Sequence, residues 1–472
     1  MTTLEPEITS MAAPIVAQLR QHFQQGVARS YEWRLAQLQA IVKLLDDKEE
    51  ELMTALMADS GKAEFTAYAG DIVFVRGEAK HAMKQLKQWM KPRKTATPIY
   101  LQPGKSYVRP EPLGVILIIG AWNFPIHLTL GPLVGAIAAG NTVLIKPSEV
   151  SPKVAAFLTK YVPQYLHTDS VKVLEGGIEE TTDILAQRFD KILYTGNSHV
   201  AKIVSAAAAK HLTPVTLELG GKNPTVVRAD ANLAVSAHRI IESKFANNAG
   251  QVCVAPDYLL VHDTIYEEFL LLLKQAVVDF FGDHPIDSNV WSRIINPSHV
   301  QRLKKMLVSG ETFHGGDVIE EENYIGPTLL INCRDDDPVM LEEIFGPILP
   351  VFSYKNDREA IKRINQREHP LALYIYTEDR QAANNILDAC NSGGSCINAC
   401  TIQAGNHNLP FGGVGYSGSQ AYHGQYSFDN MSHLRAVIDK STKVDPAGNY
   451  PPFKEKEIAL RKKITRWLLS GT

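Results

Sequence analysis

From Glu32 to Leu56 the apolar residues Leu35, Leu38, Ile41, Leu44, Leu45, Leu52 and Leu56 recur at steps of three and four, the spacing that lays one face of a helix on a core. A second helical stretch, Ala79 to Met90, stops at Lys91-Pro92, because proline lacks the amide donor a continuing helix needs. Between Thr97 and Glu111 come three prolines, a Pro-Gly turn and alternating residues such as Tyr100 and Leu101, which predict a hairpin interrupting the domain.

The pattern then changes. Short apolar runs at Gly114 to Ile119, Thr142 to Ile145, Val171 to Leu174, Lys191 to Tyr194 and Pro214 to Leu217 alternate with helical stretches. Runs this short and rich in Val and Ile suit parallel strands covered on both faces. They predict a Rossmann-like, doubly wound sheet with its ligands at the carboxyl ends of the strands. After Glu218 the alternation resumes with Tyr258 to Val261, Phe269 to Val278, Pro350 to Phe352 and Leu371 to Tyr376, enough for a second α/β domain. Near the end, Lys454 to Leu469 sets Leu460, Ile464, Trp467 and Leu468 on one helical stripe amid Arg461, Lys462, Lys463 and Arg466. Such an amphipathic helix suits packing on its own or a partner subunit, cover for an apolar channel, or peripheral contact with an anionic membrane.

At 472 residues the chain exceeds what one core fills, so two or three domains are expected. With 45% apolar and 21% charged residues it has a globular composition, and a net charge of -3 offers no basic face to nucleic acid. A small molecule is the expected partner. Five cysteines, without the spacing of metal ligands, read as reduced thiols in a cytoplasmic protein with no metal site. The opening MTTLEPEITS has no basic segment followed by an apolar one, and no run of eighteen apolar residues occurs, so a soluble protein is expected.

Several loops carry candidate chemistry. Asn123, in GAWNFP at the end of an apolar strand, is placed either to donate to a developing oxyanion or to form an Asx turn before Pro125. Lys146 and Glu149 follow the next strand, where such groups bind ribose hydroxyls or simply face solvent. Gly196 and Asn197 open the helix from His199 to Lys210, whose first amides can face a pyrophosphate. The string Gly413 to Gly418 matches a dinucleotide fingerprint letter for letter, yet it lacks a strand-helix unit and reads as a tight loop passing close to a site. Glu218, before Gly220-Gly221, is a candidate general base, with a surface pair to Lys222 as the plainer alternative. Cys253 follows a Gly-Gln turn thirty-five residues later. Nucleophile, base and oxyanion donor together describe acyl chemistry.

In order, PLGVILIIGAWNFP, IKPSE, YTGN, LELGGK, GQVC, EEIFGP and PFGGVGYSG resemble the motifs of the aldehyde dehydrogenase superfamily. SGKAEFTAY and KQLKQWMKPRK are similar to its class 3 branch, which includes fatty aldehyde dehydrogenases, and the likeness runs from about Asp59 to His433. The resemblance implies an α/β fold with a cofactor domain (1–90 and 110–217), a catalytic domain (218–415), a small β oligomerisation extension (91–109 and 416–440) and a tail (441–472). It implies Cys253 as nucleophile, Glu218 as base, and Asn123 with the Cys253 N–H as oxyanion hole. Ala121, Trp122, Lys146, Glu149, Gly196, Asn197, Leu219, Glu343 and Phe345 would bind NAD, with NADP as a second cofactor. Phe124, His127 and Phe411 would line the aldehyde tunnel. The implied protein is a homodimer that oxidises a medium- or long-chain aliphatic or other apolar aldehyde. An acylating, coenzyme A-dependent dehydrogenase, a cysteine esterase and a silent binding protein on the same fold are the alternatives.

Overall fold

Val115–Ile119, Thr142–Lys146 and Lys191–Thr195 are buried at every position, which is why their central residues form continuous apolar runs and do not alternate. In the computed structural model, which describes residues 10–445 and 450–469 (with the side chains of 468 and 469 excluded), these strands centre a six-stranded sheet. Its order is Gly418–Ser419, Val215–Glu218, Lys191–Thr195, Val115–Ile119, Thr142–Lys146 and Val171–Val173. All neighbours are parallel except Gly418–Ser419, which lies antiparallel to the edge strand with Gly418 opposite Glu218. Lys146, Ile119, Tyr194 and Leu217 stand in one row across the sheet. That register brings the loops after four strands out along one edge, where a doubly wound sheet takes its ligand.

A second sheet has seven strands in the order Glu311–His314, Thr328–Ile331, Ile348–Tyr354, Tyr258–His262, Pro224–Val227, Ala372–Tyr376 and Gly394–Ile397. Only Glu311–His314 runs antiparallel. Both sheets belong to one compact unit of residues 1–89 and 111–433.

Some helical boundaries differ from the periodicity. The single face expected from Glu32 to Leu56 is two helices, Tyr31–Asp47 and Glu49–Ser60, broken at Lys48 where φ is -120°. The apolar spacing runs across the break, with Leu38, Ile41, Leu44 and Leu45 buried on the first helix and Leu52 and Leu56 on the second. Ala12–Gln24, unmarked by any clear stripe of large residues, is a helix that buries Ala12, Val16 and Leu19. Of two π-helical turns, Tyr68–Val73 contains Gly70, on which Phe124 packs, and Glu242–Ala246 precedes the loop that carries Cys253. Residues 1–9, most of the segment weighed as a leader, lie outside the described residues.

A second unit comprises residues 90–110 and 434–472. Its three-stranded sheet has the order Arg93–Thr95, Gly104–Pro112 and Ser432–Lys440, the first two forming a hairpin whose first strand precedes the expected span of Thr97 to Glu111. Residues 416–433 belong instead to the larger unit, so the returning segment of the extension begins later than 416. The tail helix is Glu455–Leu469, with Leu460, Ile464 and Trp467 exposed; the side chain of Leu468 lies outside the described residues. Among the described residues no helix is long and apolar enough to cross a membrane.

Candidate active site

Cys253 closes a turn that only a tight set of side-chain bonds can hold. Asn248, Ala249 and Gly250 all have positive φ, at 54°, 49° and 75°. For the two non-glycine residues this costs on the order of 1–3 kcal/mol each. A Cβ on Gly250 would strike the carbonyl of Gly346, so no other residue fits there. Gln251 clamps the turn: Nε2 donates to the Asn248 and Arg293 carbonyls at 3.1 and 2.9 Å, and Oε1 accepts from the Ile295 N–H at 3.0 Å. From below, Asn223 Nδ2 donates to the carbonyls of Cys253 and Ala255 at 2.7 and 3.0 Å.

Asn123 is buried against this turn, and its Nδ2 donates to the Gln251 carbonyl at 3.1 Å. An amide nitrogen carries two protons, so a second donor remains for an oxygen developing beside Cys253. The Asn123 carbonyl accepts from Lys62 Nζ at 2.6 Å. Lys62 pairs in turn with Asp71, whose Oδ1 accepts from the N–H groups of Ile126 and His127 at 3.0 and 3.1 Å. Thus one buried ion pair fixes both the Asn123 turn and the start of the helix His127–Ala139.

Glu218 ends the strand Val215–Glu218 and is buried, and neither carboxylate oxygen has a hydrogen-bond partner among the described residues. Lys222, its alternative partner, pairs with Asp257 and donates to the Val339 carbonyl at 2.6 Å. The glycine-rich loop does pass close by: the Leu219 N–H donates to the Ser417 carbonyl at 3.1 Å, beside the pairing of Gly418 with Glu218. Burial raises the Glu218 carboxyl well above its ordinary range. The Cys253 thiol is pushed up to about 12 by burial and then by the charges of Glu343 and Glu218, while the backbone N–H groups of Cys253 and Val254 pull it down. The base is therefore within electrostatic reach of the thiol, and Asn123 is hydrogen-bonded into the turn that carries it.

The expected cofactor residues line the carboxyl edge of the first sheet and its approach to Cys253. Lys146 Nζ lies 2.5 Å from Glu149 Oε2, the lysine buried and the glutamate half exposed. Burial pushes the Glu149 carboxyl up, but the bond and charge of Lys146 outweigh it and hold it below the ordinary range. Asn197 caps the helix Ser198–Ala209 by accepting from the Val200 N–H at 2.9 Å, which spends its acceptor on the helix. At Gly196 a Cβ would run into the Tyr194 hydroxyl. Trp122 meets Phe345 edge to face at 5.3 Å, next to the partly exposed Ala121. Phe345 holds a φ of 48°. The Glu343 carboxylate rests on the backbone at Gly220, just past Leu219, where a Cβ would displace it. Burial and Asp257 raise its carboxyl to about 8, against the Gly221 N–H, Lys222 and Arg302. A paired lysine and carboxylate, a helix amino end and a carboxylate on a glycine form a donor set that fits a dinucleotide.

Phe124 and Phe411 pack with Cys253 against one core cluster. Phe124 lies under Lys62 Nζ, 4.2 Å from its ring centre, and packs on Gly70. His127 stacks on Phe74 at 3.7 Å, and Phe411 stacks on His423 at 5.0 Å. Burial lowers His127 to about 3, so it is neutral at pH 7. Sequence reasoning missed Lys62, Asp71, Gln251, Asn223 and Tyr422. Gln251 lies inside the quoted GQVC and Lys62 inside SGKAEFTAY, and Asn223 directly follows LELGGK, so these three were within reach. Tyr422, whose hydroxyl is raised by burial and by Glu218, Cys253 and Glu78, sits in a stretch with no pattern to mark it.

The model of the aldehyde dehydrogenase family matches residues 10–437. The chain is 44% identical over 449 residues to aldehyde dehydrogenase family 3 member A2 of Rattus norvegicus, covering 95% of this chain and 93% of that protein. It is 42% identical to the rat aldehyde dehydrogenase described as dimeric and NADP-preferring, covering 95% and 99% of the two chains. Among solved structures, the substrate-bound state of Staphylococcus aureus AldH superposes with a TM-score of 0.93 at 40% identity, covering 96% of this chain and 99% of that one.

Proposed function

This chain belongs to the aldehyde dehydrogenase family, and we propose that it oxidises an apolar aldehyde to the carboxylic acid through a thioester on Cys253, with reduction of NAD(P). The single observation carrying this reading is Glu218, a buried carboxylate without a hydrogen-bond partner among the described residues, within electrostatic reach of the Cys253 thiol.

In this mechanism the Cys253 thiolate adds to the aldehyde carbon, and the resulting alkoxide is held by Asn123 Nδ2 and the Cys253 N–H. The nicotinamide supplies the hydride acceptor when bound. Loss of hydride leaves a thioester. Glu218 takes a proton from water, the water oxygen forms the new C–O bond, and the C–S bond breaks to release acid and regenerate Cys253. The high setting of the Cys253 thiol means that ionisation requires relief from Glu343 and Glu218, or donation from nearby backbone amides.

Apolar substrate is supported by the rings of Phe124, His127, neutral at pH 7, and Phe411, which offer no fixed charge. Lys146 and Glu149 support NAD, and the half-exposed Glu149 has room to swing aside for a 2′-phosphate. A homodimer in the cytoplasm, with peripheral lipid contact through the basic helix Glu455–Leu469, completes the proposal; the dimeric rat relative supports its first part. Transfer of the acyl group to coenzyme A is disfavoured, since that route has no use for a water-activating base. The experiment is Cys253→Ala. Its turnover should fall below about a thousandth of the parent rate, and iodoacetamide labelling of the active site should vanish. Turnover above that level contradicts a Cys253 nucleophile.

A further inference from the structure

At the amino end of the strand Lys191–Thr195, away from the catalytic edge, the side chain of Lys191 is buried with no carboxylate partner among the described residues. It donates to Asn430 Oδ1 at 2.7 Å and to Gln420 Oε1. Thr216 Oγ1 donates to the same Gln420 oxygen at 3.0 Å and accepts from Asn430 Nδ2 at 2.9 Å. Gln420 is held at a φ of 66°, a left-handed conformation costly for a side-chain-bearing residue. Every group holding the ammonium is neutral, so its charge is solvated without being balanced. A buried cation of this kind is normally paired.

Lys191 lines a cavity of about 410 Å³ together with the apolar residues Leu113, Pro214 and Tyr426. An ammonium has three protons, and two are directed at Gln420 and Asn430, which leaves one for an oxygen in the cavity. Asp429 also lines the cavity, which weighs against a multiply charged anion. One donor, one positive charge and apolar lining residues complement a monocarboxylate with a hydrocarbon body.

We propose that this cavity binds an aliphatic monocarboxylate, its carboxylate on Lys191 and its chain along Leu113, Pro214 and Tyr426. The ligand is of the class that aldehyde oxidation releases, so the identification with product rests on the proposed function, whereas the site itself does not. Burial lowers the Lys191 amine to about 8, and a bound carboxylate opposes that shift. The site lies on the strand next to the one carrying Thr216 and Glu218, within the same sheet as the catalytic base.

The test is acetylation of Lys191 by an N-hydroxysuccinimide ester, read by peptide mass spectrometry on full-length enzyme whose Cys253 has been alkylated beforehand. Octanoate, acetate and inorganic phosphate are added in parallel. Octanoate should slow labelling of Lys191 about fivefold or more at saturation, with exposed Lys105 unaffected. It should also raise the thermal midpoint of the parent protein by a few degrees and leave that of Lys191→Met unmoved. Unchanged labelling in octanoate overturns the site, and equal protection by phosphate overturns the assignment to a carboxylate with an apolar body. Neither readout needs turnover, so a failure here is distinct from failure of the dehydrogenase reading.

Discussion

Lys62 Nζ stands 2.9 Å from Asp71 Oδ2 with neither side chain exposed, and the two residues grip the Asn123 turn from opposite sides. Removing one partner leaves the other charge buried and alone, which costs about 3–5 kcal/mol. Asp71→Asn and Lys62→Met should each be destabilised on that scale in urea unfolding and should lose kcat as Asn123 shifts. The double variant should recover part of the stability without the activity. Single variants within about 0.5 kcal/mol of the parent would show that the pair does not hold the turn.

Glu218→Gln should keep hydride transfer and lose hydrolysis, because an amide cannot accept the proton from water. Rapid mixing with aldehyde and NAD should give one burst of reduced cofactor per site, with steady turnover down about a hundredfold or more. If the burst is lost as well, Glu218 acts before the thioester, on Cys253 itself.

Glu343 raises the Cys253 thiol, so Glu343→Gln should move the inflection of iodoacetamide labelling to lower pH in enzyme without cofactor. The same carboxyl is raised from 4.5 to about 8 in the folded state. Its contribution to stability is therefore complete below about 4.5 and is lost as pH rises through about 8. Glu343→Gln should gain thermal midpoint over the parent above pH 8 and lose that advantage in acid. A labelling profile that does not move would separate Glu343 from the thiol.

Cofactor choice rests on Glu149, whose carboxylate is paired to Lys146 at 2.5 Å. Glu149→Thr removes a charge that repels a 2′-phosphate and releases the lysine to meet it, so the NADP to NAD ratio of kcat/KM should rise about tenfold. An unchanged ratio would place phosphate recognition elsewhere.

The parallel strands were legible because burial on both faces forces unbroken apolar runs, and Val115–Ile119 is one such run from end to end. The break at Lys48 was not, since the apolar spacing of Leu44, Leu45, Leu52 and Leu56 runs on across it. Glu218 and Asn123 stood out as polar residues at or just past the ends of buried strands, and Cys253 by the Gly-Gln turn before it and the base and donor it accompanies. Lys62 and Asp71 gave no such signal: a lysine and an aspartate nine positions apart look like surface, and only the fold brings both side chains to full burial. Lys191 was hidden in the same way, as the first residue of an apolar strand.

The covalent step is tested most directly by the intact mass of Glu218→Gln enzyme quenched in acid after mixing with aldehyde and NAD. A thioester adds the mass of the aldehyde less two hydrogens, and fragmentation should place it on Cys253 in an amount equal to the burst of reduced cofactor. A burst with no added mass, or with the acyl group on another residue, would contradict a thioester on Cys253.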